Sequence, residues 1–219
     1  MPSLCETCGN VREICTARSR FLLCELSFTN AAYPKYPPQP VVRCSGYQPK
    51  DTAWVLEMPL RPDQPVASPP AGITIRGYRP GADDRAVHRV IDDAFSEWPD
   101  REPRPFEEWV PFSIGRETFS PELSALALDG DRIVGAAIVL DYDNADDGYV
   151  HQLAVHREYR HRGIARALLH RAFAGFARTG RHWCTLSTNS YTGALSLYER
   201  VGMRIRHSYT HYAKELGRP

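Results

Sequence analysis

The sequence is most informative first in what it lacks. No stretch is apolar for long enough to cross a membrane, and the opening residues MPSLCETCGN have no hydrophobic segment of the secretory kind. A cytoplasmic protein is expected. Neither sign of charge dominates, because 27 Lys and Arg against 26 Asp and Glu leave a formal net charge of +1. A general nucleic-acid binder would be more basic. Two phosphate-binding signatures are also missing: there is no Gly-Lys-Ser/Thr of the Walker type, and Ala165 breaks a Gly-x-Gly-x-x-Gly pattern. With 42% hydrophobic residues in 219, the chain can bury one core of ordinary size with some length left over.

Cysteine is nearly absent after residue 44, where only Cys184 remains, and five cysteines crowd the N-terminal fifth. Without an export signal this pattern favours reduced thiols or a metal site over disulfides. A unit so small is near the limit for a hydrophobic core alone, and a structural zinc can contribute on the order of 10 kcal/mol of folding free energy. Cys5 and Cys8 form a Cys-x-x-Cys knuckle, and Cys24 and Cys44 follow the apolar runs Phe21–Leu23 and Val41–Val42. These four are the expected Zn2+ ligands, with Cys15 spare; unligated thiols and an iron-sulfur cluster are the alternatives. The run YPKYPPQP, residues 33–40, reads as an extended crossing between the two halves of the site.

Residues 61–71, RPDQPVASPPA, have linker composition. Just before them, Thr52, Trp54, Glu57 and Met58 repeat the spacing of Thr210, Tyr212, Glu215 and Leu216. Residues 51–60 thus read either as a chance match between two strands or as the last strand of a lost copy of the following domain. The expected division is a Cys-rich module at 1–49, a strand remnant and linker at 50–71, and a main domain at 72–217.

Within that domain, hydrophobic periodicity predicts a strand at 73–78, then a helix carrying Val87, Val90, Ile91, Ala94, Phe95 and Trp98. Strands follow at 123–128 and 133–140, joined by an Asp-Gly-Asp-Arg turn. A third strand at 149–155 leads into HREYRHRGIARALLHRAF, residues 156–173, where five arginines and three histidines surround Gly163. Ala165, Leu168, Leu169, Ala172, Phe173 and Phe176 then form one helical stripe. A strand at 182–188, a helix at 193–201 and a final strand through 216 complete an α+β sandwich around a mixed, mostly antiparallel sheet. Gly163 falls between strand and helix, where free N–H groups and the positive helix end hold phosphate. The fit is a pyrophosphate bound mainly by backbone.

The loop Arg160-His161-Arg162-Gly163-Ile164-Ala165 resembles the Gln/Arg-x-x-Gly-x-Gly/Ala motif of the GCN5-related N-acetyltransferase (GNAT) superfamily. HQLAV before it and TGALSLYERVGM after it extend the resemblance over residues 72–216. More narrowly, the chain is similar to C-terminal halves of actinobacterial tandem acetyltransferases of the mycothiol synthase kind. The resemblance implies the GNAT fold and transfer of an acetyl group from acetyl-CoA to a small-molecule or peptide amine, by direct attack in a ternary complex. It implies that the backbone of Leu153, Ala154 and Val155 pairs with the pantetheine arm. Arg160, His161, Arg162, Gly163, Ile164 and Ala165 would hold the pyrophosphate, with Arg166 adding a contact. Tyr198 would give a proton to the departing thiolate. Asn189 would contact the cofactor, although Tyr191 stands where the family commonly has Asn.

His151, on the strand before the loop, is the candidate general base. Trp98, Phe106, Trp109 and Phe112, beside Asp92, Asp93, Glu97, Glu107 and Glu108, would suit a cationic amine or equally ordinary packing. The competing function is a non-catalytic sensor of acetyl-CoA, or an adaptor carried by the zinc module with a protein partner. No membrane or nucleic-acid partner is expected.

Overall fold

The computed structural model describes residues 3–47, 51–98, 101–142 and 146–211. They fall into two compact units, one built on residues 1–53 with 208–219 and the other on residues 54–207.

The first unit is organised by a hairpin of β1 (Val11–Cys15) and β2 (Arg20–Cys24), paired antiparallel from Val11 opposite Cys24 to Cys15 opposite Arg20. Arg20 bridges Glu13 at 2.6 Å and Glu6 at 2.7 Å, tying the hairpin to the turn that precedes it. Cys5 and Cys8 are buried with Val11 and pack against Leu22, Val41 and Tyr47. Cys5, Cys8, Cys24 and Cys44 all line one cavity of about 360 Å³, which fits the chosen four. However, among the described residues no group of three or more His, Cys, Asp or Glu is placed to hold a metal ion. The zinc expectation is thus not supported among the described residues, where Cys5 and Cys8 pack as small apolar side chains in a core. Cys15 is exposed and its thiol donates to Glu13 Oε1 at 3.2 Å.

The second unit carries most of a sheet whose strands run β4-β5-β6-β7-β8-β3-β9. In chain order the elements are β3 (Asp51–Pro59), β4 (Ile73–Gly77), α1 (Asp84–Phe95), α2 (Phe106–Trp109), β5 (Ala125–Asp129), β6 (Arg132–Asp141), β7 (Asp147–Val155), α3 (Ile164–Arg178), β8 (Trp183–Asn189), α4 (Leu195–Arg200) and β9 (Arg204–His211). Strands β4 to β7 are antiparallel neighbours, and β7 and β8 are parallel. The two-residue turn Gly130-Asp131 joins β5 and β6, with Gly130 at φ 56°.

Alternation along the strands feeds two layers. Leu126, Leu128, Ala136 and Ile138 meet Val87, Val90, Ile91 and Ala94 of α1. From neighbouring positions, Ala125, Ala127, Val134 and Ala137 meet Ile164 and Leu168 of α3. Gly148 shows how closely α3 seats, since a Cβ there would lie 2.2 Å from the Phe176 ring.

The strand at 51–59 takes part in the larger sheet. It lies between β8 and β9. Leu56 is fully buried beside Phe173, Leu186 and Tyr198, with Trp54, Met58 and Leu60 packed against the same cluster. Glu57 pairs with Arg204 at 2.9 Å, and Leu60 N–H donates to His182 O at 2.8 Å. An apolar strand beside an unfilled sheet position is stabilised by pairing there, whatever its origin. Of its matching segment, Tyr212, Glu215 and Leu216 lie outside the described residues.

Because Leu56 has no exposed surface, Leu56→Ala is expected to cost about 2–5 kcal/mol of stability in urea unfolding. Val66→Ala, at an exposed linker position, should stay within about 0.5 kcal/mol.

Candidate active site

The site begins with a mismatch between strands. β7 pairs with β8 only from Asp147 opposite Trp183 to Val150 opposite Leu186, and past this point the two strands part. On its other side β7 stays paired to β6, from Asp141 opposite Gly148 to Gly135 opposite Val155. That ladder shifts register at His151, because Val150 faces Val139 while Gln152 faces Ile138. His151 is thus the extra residue of a bulge, a feature that bends a strand and re-aims its side chains. The diverging strands, the 160–166 loop and Tyr198 line one cleft of about 1300 Å³.

Leu153, Ala154 and Val155 border this cleft, on the length of β7 that has lost its β8 partner. A strand length with no neighbour on one side suits an extended ligand that adds itself as a strand. Acetyl-CoA fits on a second count: α3 starts with no side-chain cap and no acidic residue in its first turn, so its positive end is unquenched. Two consecutive reversals shape the loop before it, His161 at φ 62° and Gly163 at φ 85°. Such turns aim successive N–H groups into a concavity that suits an anion. No neighbour lies within 4 Å of an added Cβ at Gly163. Its glycine therefore answers to backbone conformation rather than to space.

The loop arginines bond to the protein itself. The Arg160 guanidinium donates to Val155 O at 3.2 Å, to Glu97 Oε2 at 2.5 Å and to Ala94 O at 3.4 Å. Arg162 donates to Glu158 O at 2.9 Å and covers the Tyr159 ring. Both side chains brace the loop, and Arg166 lines the cleft. Asn189 also lines the cleft, its amide donating to the Tyr191 hydroxyl.

Tyr198 is 7% exposed. Burial, with a smaller contribution from Tyr149, pushes its hydroxyl up to about 12, so it remains a neutral donor at physiological pH. The His151 Nε2 lies 2.9 Å from Phe112 O. A carbonyl only accepts, so Nε2 carries the proton and Nδ1 keeps the lone pair. Burial holds this imidazole below the ordinary histidine value, the Phe112 bond opposing and the Arg116 charge assisting. The ring is therefore neutral near pH 7. Cys184 is fully buried and its thiol is pushed far up, which disfavours a thiolate nucleophile.

The acidic residues suggested for a cationic amine are mostly engaged elsewhere. Asp92 pairs with Arg101 at 3.0 Å, Asp93 with Arg157, Glu97 with Arg160 and Glu107 with Arg85 at 3.5 Å. Of the aromatics, Trp98 reaches the cleft, stacked on Phe95 at 4.0 Å and edge-on to Tyr191 at 5.7 Å. Trp109 is buried instead, its indole N–H donating to Gln152 Oε1 at 3.1 Å, where Ser113 also donates at 2.8 Å. Gln152 was not singled out by sequence reasoning, although a polar residue in an apolar strand signals a buried partner.

The loop geometry predicts a contrast. Gly163→Ala places a Cβ in the left-handed region at about 1–2 kcal/mol, so CoA binding measured by calorimetry should weaken about tenfold. His161→Gly, which needs no such accommodation, should leave affinity within about twofold.

Comparison with known proteins agrees with this geometry. The model of the acetyltransferase (GNAT) family matches residues 85–203. N-alpha-acetyltransferase 30 of Schizosaccharomyces pombe is 35% identical over 97 residues, covering 42% of this chain and 65% of that protein. A mycothiol acetyltransferase of Catenulispora acidiphila is 31% identical over 112 residues, covering 50% of this chain and 35% of its own length. The chain thus spans less than two thirds of either relative. A solved structure of a GCN5-related N-acetyltransferase from Sphaerobacter thermophilus superimposes with a TM-score of 0.63 at 37% identity, over 75% of this chain and 51% of that one. With the family match extending over more than half of its residues, the chain belongs to the GNAT acetyltransferase family.

Proposed function

We propose that this protein transfers an acetyl group from acetyl-CoA to an amine by direct attack within a ternary complex. The observation that carries the proposal is the meeting, in one cleft, of the unpaired length of β7, the uncapped start of α3 and the Tyr198 hydroxyl. Acetyl-CoA supplies the activated acetyl group and the leaving thiolate. Leu153, Ala154 and Val155 would bind its pantetheine arm by backbone hydrogen bonds, and the N–H groups of residues 161–165 its pyrophosphate.

His151 is proposed to take the amine proton at Nδ1, since its neutral tautomer leaves that atom basic. Tyr198 is proposed to deliver a proton from Oη at the sulfur. A phenol near 12 is a weak acid beside an ordinary thiol of about 8.5. The same apolar surroundings that raise the phenol would raise the basicity of a thiolate formed next to it, which narrows the gap. The buried Cys184 favours direct transfer over a covalent acyl-enzyme. The relatives' names suggest the α-amine of a peptide or of a mycothiol precursor as acceptor.

Coenzyme release across a panel of amines tests the proposal. Tyr198→Phe should lower kcat about a hundredfold while acetyl-CoA affinity stays unchanged. Acetyl-CoA binding without turnover on any amine would instead support a sensor. Because the His151 value is depressed from 6.5, its acid limb in kcat should lie below that pH, with a plateau above it. The limb should vanish in His151→Ala; an identical profile in the variant would remove His151 from the role of base.

A further inference from the structure

The charges that line the cleft are unbalanced. Among the described lining residues Glu97 is the single carboxylate, and it is bound to Arg160. The cationic side chains divide between two walls. Arg166 and Arg200 lie with the α3 and α4 ends, where the phosphates of the cofactor are expected. Arg101 and Arg104 lie on the other wall with Trp98, beyond the end of α1. Arg101 is neutralised by Asp92.

Arg104 is exposed, yet its backbone and its guanidinium are both held. Its backbone is fixed at both polar atoms: its N–H donates to Asp92 Oδ1 at 3.1 Å, and its carbonyl accepts from His88 Nε2 at 2.7 Å. Its guanidinium lies over the Phe112 ring, 5.2 Å from the centroid. Stacking occupies the flat face and leaves the N–H edges free. Among the described residues those edges have no carboxylate partner. Phe112 is also the residue whose carbonyl accepts from His151, so one residue contacts the Arg104 guanidinium through its ring and the proposed base through its backbone. Arg116 adds positive charge to the same neighbourhood, since His151 senses it.

Resting on the acetyl-transfer reading, we propose that Arg104 is a specificity-determining residue that selects an amine bearing a carboxylate close to the reacting nitrogen. A planar fork with free edges matches a carboxylate bidentately. A dicationic acceptor would meet Arg104 with no free acid among the described lining residues to offset it. The recognised class is an anionic amine, either a free acidic amino acid or a peptide with an acidic first residue.

The test is calorimetric titration of CoA-saturated protein with glutamyl-alaninamide, glutaminyl-alaninamide, lysyl-alaninamide and free glutamate, for wild type and Arg104→Gln. The glutamyl peptide should bind about tenfold more tightly than its glutaminyl isostere, with the lysyl peptide weakest. In Arg104→Gln the ratio should fall below about twofold with CoA affinity unchanged. Free glutamate outbinding the peptide would assign the site to a small molecule, and the reverse order to a peptide. A flat series, a lysyl preference, or a loss of CoA affinity in the variant without any change among the amines would overturn the assignment. Turnover of the same four amines separates the two readings. Carboxylate-selective binding without turnover would leave the Arg104 assignment standing and remove the acetyl-transfer proposal, and turnover without selectivity would do the opposite.

Discussion

The site depends on the parting of β7 from β8 beyond Val150 and Leu186. A sheet in a folded core normally satisfies its backbone donors and acceptors on both sides of an interior strand. Here β6 continues to pair along one side of β7 to Val155 while β8 withdraws from the other. The opening lies next to the apolar cluster that buries Tyr198. Polar backbone beside an apolar cluster is a costly arrangement unless a partner completes it, and the extended, amide-containing arm proposed to bind there would do so. The bulge at His151 belongs to the same deformation, since the extra residue bends β7 and brings the imidazole to the Phe112 carbonyl.

Around this opening the fold supplies rigidity. Phe176 presses onto Gly148 at the base of β7, and α3 is buried along Ile164, Leu168, Leu169, Ala172 and Phe173. The loop before α3 is braced by Arg160 and Arg162 through bonds to protein rather than to a ligand. Its cationic side chains therefore stabilise a shape, and that shape presents N–H groups. β3 contributes at a distance: Leu56 shares a core with Tyr198, so a strand that precedes the linker packs against the proposed proton donor.

Much of this was legible in the sequence because it rests on periodicity and local stereochemistry. The stripe of α3, the Gly130-Asp131 turn and the strand-to-helix position of Gly163 all follow from spacing and from residues that tolerate positive φ. Other features depend on tertiary pairing that no local pattern encodes. The sheet position of residues 51–59 could not be read, because a strand carries no mark of its neighbours. The acids Asp92, Asp93, Glu97 and Glu107 looked available for an amine, yet each has an arginine partner at least nine residues away in sequence. Composition around the N-terminal cysteines suggested zinc; all four reach one cavity, but not as a set placed to hold a metal. Spacing shows which residues can meet, whereas coordination needs side-chain geometry.

The central claim is that the unpaired length of β7 and the start of α3 together bind the cofactor through backbone. Amide hydrogen exchange with and without saturating CoA tests it most directly, because it reads those N–H groups themselves. Protection should rise in residues 151–155 and 161–166, with β5 and the C-terminal half of α3 unchanged. CoA binding that leaves both segments exchanging at their free rates would contradict the account.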